Sequence, residues 1–230
     1  MSGQTSPIFG NLDWTVTPFT DVIQRPGSST IVGAAAATIL VLGGIAVLAL
    51  LTRKGWWGPL YRNWLTSPDA KKIGIMYIAL ALIMMARGII EGFVMRAHQS
   101  TALGTLTEQE GGLVAPDHFA QLFSTHGTIM IFFAIMPLLV GLFGNLLIPL
   151  QIGAEDMAFP RLNMISFWLA VPAGILMLAS FAVEGGAAGA GWTSYAPLSA
   201  SGEFTGVYLG QQLWLVSLTT IGFSSLVGAV

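Results

Sequence analysis

Cysteine is absent from all 230 residues, which excludes disulfides and thiolate metal sites and leaves histidine, methionine or oxygen atoms as the only metal ligands. Charge is scarce as well: Asp, Glu, Lys and Arg together make up 9%, with a formal net charge of −2. That balance gives no reason to expect a nucleic-acid partner. Histidines number three, so few places exist where a side chain could bind a metal through nitrogen. The first stretch, MSGQTSPIFGNLDWTVTPFTD, lacks a cationic segment followed by an apolar core, and a cleaved signal peptide is therefore not expected. Internal repeats are missing too, and the Ala-rich VGAAAATIL is ordinary helix-packing material.

What is present is apolar. A chain that is 54% hydrophobic exceeds what a globule of this size can bury, because small domains keep much of their surface in water. The expected solvent is a bilayer. A hydrocarbon core of about 30 Å takes roughly 20 helical residues to cross. That ruler predicts an all-α polytopic bundle of about five spans, at residues 30–51, 73–96, 117–151, 162–183 and 206–230. Arg53, Lys54, Arg62, Lys71 and Lys72 cluster between the first two, so this loop is expected inside and the N-terminus outside. The expected division is residues 1–29 as an outer segment, 30–52 as a first membrane helix and 53–230 as the main bundle.

Ionisable groups at membrane depth cost a few kcal/mol each unless they are paired or functional, so they are the informative positions. Arg87 and Glu91 stand four apart on one helical face and can pair, whereas Arg96 lies about 180° round the same helix. Mutual neutralisation with a snorkelling Arg96 is one reading; polar partners on two faces is the other. His118 and Gln121 share a face, while His126 lies elsewhere, about 14 Å inside the helix. A core histidine and a haem or metal ligand are both consistent with that depth. Near the inner side, Asp156 with Asn145 and Asn163 fits either a helix-capping loop or a proton entry, since carboxamides order water without ever holding charge.

The run THGTIMIFFAIMPLLVGLFGNLLIPLQIGAEDMAFPRLNMISFW, from Thr125 to Trp168, and GWTSYAPLS at 191–199 resemble subunit I of the haem-copper terminal oxidases. The resemblance implies that His126 is one axial ligand of a low-spin haem, of b or a type. It also implies that Arg96 and Trp192 contact that haem, and that Asp156 opens a proton channel with Asn145 and Asn163 behind it. The extra span ahead of WLTSPDAKKIGIMYI is similar to quinol oxidases of the bo type. In those enzymes a quinol site is attributed to residues matching Arg87, Glu91, His118 and Gln121. Quinol oxidation releases protons, so acceptors beside its oxygens and cations to hold them suit the chemistry.

Two positions depart from that pattern: Glu91 replaces the usual Asp, and Ala70 replaces a His. The resemblance further implies a second axial histidine, a high-spin haem and copper held by later helices. These belong either to the remainder of a subunit I longer than this sequence or to a second polypeptide. Implied partners are subunits II, III and IV, ubiquinol or menaquinol, and the lipid of a bacterial inner membrane. Cytochrome c oxidation by an extended relative is the competing activity. A non-catalytic scaffold or transporter is the rival class, and haem content separates it.

Overall fold

The computed structural model describes residues 42–102, 114, 116–183, 185–201 and 209–229, and every described element is helical. The expected outer segment, residues 30–41 of the first span, most of the outer loop between 103 and 115, and residues 206–208 lie outside the described residues. The chain divides into two compact units, Met1–Thr66 and Ser67–Val230.

In the first unit, the apolar α1, Leu42–Arg53, is followed by a short α2, Trp57–Leu60, which continues as a π-helical turn over Tyr61–Leu65. Lys54 lies 4.6 Å from the centre of the Trp56 ring, and Trp57 donates its indole N–H to Thr52 at 3.0 Å. Tryptophan beside lysine at the end of an apolar helix is the composition expected at a membrane–water boundary.

The described residues of the second unit form a bundle of four helices. The first, α3, spans Ala70–Ala102. The second, α4, is α-helical over Pro116–Thr128 and Asn145–Ile152, with π-helical bonding over Ile129–Ile135 and Pro137–Gly144. Pro137 cannot donate to the turn before it, and the wider pitch gathers on both sides of that position. Then come α5, Pro160–Ala179, extended by a 3-10 turn over Ser180–Ala182, and α6, Leu209–Gly228. Among the described residues, three helices are long and apolar enough to cross a membrane: 70–99, 117–152 and 160–182. The α6 helix has the length for a span but dilutes its apolar residues with Gln, Ser and Thr.

Side-chain pairings fix the directions. Gly74 faces Asn145, Gly88 faces Met130 and Gly92 faces His126, so α3 and α4 run antiparallel with their backbones in close approach. Between α5 and α6, Ser166 and Ser224 each donate a hydroxyl to the other's carbonyl at 2.7 Å, and Ser217 donates to the carbonyl of Ala173 at 2.7 Å. These bonds also describe an antiparallel pair. Each is worth about 0.6 kcal/mol in a bilayer, so packing of the small residues between them carries most of the contact. Trp214 of α6 donates to Thr128 of α4 at 3.0 Å and ties the two hairpins together.

Candidate functional site

His126 sits where α3 and α4 come closest. Its Nδ1 is 2.8 Å from the carbonyl oxygen of Gly88. A carbonyl can only accept, so Nδ1 carries the proton and Nε2 keeps its lone pair. Metal-bound imidazoles are usually held this way, with the far nitrogen donating to a backbone carbonyl or carboxylate. Gly92, one turn further along α3, forms a floor under the ring: a Cβ there would lie 3.1 Å from Cε1. The residue after His126, Gly127, is covered by Trp192, whose Cδ1 would be 3.1 Å from a Cβ at that position. Trp192 also faces Phe132, with ring centres 6.4 Å apart. The structure thus brings Trp192 beside the His126 turn. Arg96, by contrast, is exposed and donates to Gln99 at 3.3 Å; among the described residues no contact joins it to His126.

The second cluster lies where the C-terminal halves of α3 and α5 meet the N-terminal end of α4. Arg87 Nη2 is 3.0 Å from Glu91 Oε1, and the Glu91 side chain is fully buried. Neither Glu91 oxygen receives a well-aligned hydrogen bond from any described residue, so the pair is an ion contact with spare acceptor capacity. His118 Nδ1 and Gln121 Oε1 are 3.4 Å apart, and the Gln121 amide donates to the carbonyl of Gly185 at 2.7 Å. Phe181 joins the two halves: the Arg87 guanidinium lies 4.7 Å from its ring centre, and the His118 ring meets it edge-on at 6.4 Å. Phe181 thus links the Arg87–Glu91 pair to the His118–Gln121 pair, bringing the four sequence-predicted residues into one chain of contacts. Nothing in the sequence singled out Phe181, since an aromatic at the end of an apolar helix is unremarkable until its neighbours are known.

The third cluster is at the opposite end. Asp156 Oδ1 accepts the backbone N–H of Ala70 at 3.2 Å and of Met157 at 2.7 Å. It caps α3 rather than the helix that follows it. Ala70 is 3% exposed at that helix start, which leaves little space for a larger side chain at the position where the resemblance implies His. Asn145 and Asp156 line one open cleft of about 600 Å³. Behind it Asn163 donates to Asn145, and both carboxamides are 4% exposed. Further in, Tyr77 and Ser166 share a hydrogen bond of 2.7 Å beside Ser224. These three border a cavity of about 20 Å³, enough for a single water. Tyr77, Ser166 and Ser224 were not singled out from sequence, because hydroxyls in a membrane helix more often bond their own backbone.

Ionisable groups at three places along an apolar bundle mark candidate functional positions, and comparison narrows what they serve. Residues 72–230 match the family model described as Cytochrome C and Quinol oxidase polypeptide I. A ubiquinol oxidase subunit 1 of Acetobacter aceti is 43% identical over 80% of this chain and 27% of its own length. A quinol oxidase subunit 1 of Bacillus subtilis is 40% identical over 89% of this chain and 29% of its own length. A probable cytochrome c oxidase subunit 1 of Bradyrhizobium diazoefficiens is 38% identical over 94% of this chain and 30% of its own length. The chain belongs to the haem-copper oxidase subunit I family and spans less than a third of the length of these relatives.

Family membership implies haem and copper. Among the described residues no group of three or more His, Asp or Glu side chains could hold a metal ion alone. His126 fits one axial position by its tautomer, as a single donor.

Asp156 provides a separable test. Asp156→Asn keeps an oxygen for the N–H groups of Ala70 and Met157 but cannot hold a proton. Thermal stability of the assembled complex should therefore change by less than about 1 kcal/mol, and slowed proton uptake in the same variant is the result expected of a proton-carrying Asp156. Asp156→Ala should lose the cap too, costing about 1 kcal/mol. Unchanged proton uptake in both variants would leave Asp156 with a capping role alone.

Proposed function

We propose that this chain forms the N-terminal part of subunit I of a terminal quinol oxidase in the bacterial inner membrane, with its N-terminus outside. Such an enzyme oxidises quinol and reduces oxygen to water while translocating protons. The observation that carries the donor assignment is the chain of contacts that joins Arg87, Glu91, His118 and Gln121 through Phe181 in an otherwise apolar bundle. A quinol has two hydroxyls that must each lose a proton. The fully buried Glu91, with acceptor capacity to spare, would take one, and the Arg87 guanidinium would hold the oxygen as it becomes negative. His118 and Gln121 would orient the other hydroxyl from the rim.

His126 would hold a low-spin haem, of b or a type, from one side, with Trp192 packed beside its turn and Arg96 toward its periphery. That group supplies one-electron transfer when bound. The second axial ligand, the high-spin haem and the copper would come from the remainder of subunit I, assembled with subunits II, III and IV. Protons would enter at Asp156, pass Asn145 and Asn163, and reach the Tyr77–Ser166–Ser224 cluster.

The relative from Bradyrhizobium diazoefficiens is named for cytochrome c, and substrate choice decides between the two readings. The purified, assembled complex is expected to consume oxygen with ubiquinol or menaquinol and not with reduced cytochrome c. Oxygen consumption with reduced cytochrome c alone would overturn the quinol assignment.

A further inference from the structure

The contacts between α3 and His126 come from two glycines one turn apart. Gly88 offers its carbonyl to Nδ1 at 2.8 Å, which fixes the edge of the ring. Gly92 fixes the face: a Cβ there would stand 3.1 Å from Cε1, 3.6 Å from Nδ1 and 3.9 Å from Nε2. All three atoms belong to the imidazole, so a methyl at 92 would press on the ring before any other part of a neighbouring helix. Real Cβ atoms rarely approach a neighbour as closely as 3.1 Å, so the ring would have to give. Rotation about its own χ angles is the direct way to give, because close contacts on either side hold α4 against α3. At Gly88 a Cβ would meet Met130 Sδ at 2.6 Å, and at Gly74 one would meet Asn145 Cβ at 3.3 Å.

We propose that Gly92 is a positioning residue that sets the plane of the His126 imidazole, with the Gly88 carbonyl as the pivot about which that plane would turn. The inference rests on the reading of His126 as an axial ligand and assigns to α3 a function beyond scaffolding. The orientation of an axial imidazole fixes how its π orbitals meet those of the iron, and outer contacts of this kind tune a metal site. A residue that touches only the ligand's face thus acts on the electronic properties of the centre without touching it.

The test uses the assembled oxidase. Gly92→Ala is expected to keep the low-spin haem but to move its ferric EPR g values outside the linewidth and to shift its midpoint potential. Gly74→Ala crowds the same helix pair far from the ring and is expected to leave both unchanged. Unchanged g values in Gly92→Ala, or equal shifts in both variants, would overturn the proposal. Should Gly92→Ala not assemble, the unsubstituted enzyme still tests the pivot. Electron–nuclear double resonance is expected to show an Nδ1 proton that resists brief transfer to deuterated water, and a freely exchanging or missing proton would overturn the clamp. A low-spin signal that survives in His126→Ala would instead defeat the ligand reading itself, which keeps the two failures apart.

Discussion

Replacing His126 by alanine is expected to remove the low-spin haem signal from the assembled oxidase. The substitution deletes the Nε2 lone pair, which is left for a metal because Nδ1 is committed to the Gly88 carbonyl. Loss of even a supporting contact typically costs a metal site about 10–100-fold in affinity, and loss of the ligand itself must cost more. The protein also loses the ring's packing against Gly92 and one hydrogen bond to the Gly88 carbonyl, which keeps its helical donor, a cost of about 0.5–1.5 kcal/mol. The reduced-minus-oxidised spectrum should therefore lack the low-spin α-band, and haem content should fall in step. Free imidazole added to the variant is expected to restore part of the band, because the vacated space has the shape of that ring. His118→Ala provides the contrast: its contacts run to Gln121 and Phe181, so its spectrum should stay intact. A full α-band in His126→Ala would return this histidine to the rank of a hydrogen-bonded core residue.

What could be read from the sequence divides along a physical line. Contacts within one helix follow from 100° per residue, and the Arg87–Glu91 ion pair and the His118–Gln121 contact both appear as spacing predicts. The long second helix, expected at 117–151, ends at Ile152, and the next begins at Pro160. Contacts between helices were not legible. These segments are apolar on every side, so no period marks which face meets protein and which meets lipid. The Gly88 carbonyl under His126, Phe181 between Arg87 and His118, and the Asn163–Asn145 bond across a hairpin all depend on how four such segments settle together. Asp156 shows the same limit from the other direction. Its place in a short loop was clear, but that it caps the helix beginning at Ala70 needed the tertiary fold.

Substituting Glu91 by glutamine is expected to abolish most quinol turnover while leaving the haem spectrum unchanged. Glutamine has the same length and can still face Arg87, so the packing around the buried side chain is kept. What disappears is basicity: a neutral amide cannot take the proton that a quinol hydroxyl must release. Removal of a positioned proton acceptor costs about 10²–10⁴-fold in rate, and turnover with saturating quinol should fall by at least the lower figure. Two comparisons make the result specific. Arg87→Leu should be worse for folding, since breaking a buried ion pair from one side strands the other charge at about 3–5 kcal/mol. Its lost turnover would be ambiguous for that reason, whereas Glu91→Gln removes charge without creating an unpaired buried anion. Electrons supplied by an artificial one-electron donor that bypasses the quinol pocket should still reach oxygen in Glu91→Gln at an undiminished rate. Full quinol turnover in Glu91→Gln would mean that the pair only neutralises itself within the membrane, and the donor site would have to be sought elsewhere in the complex.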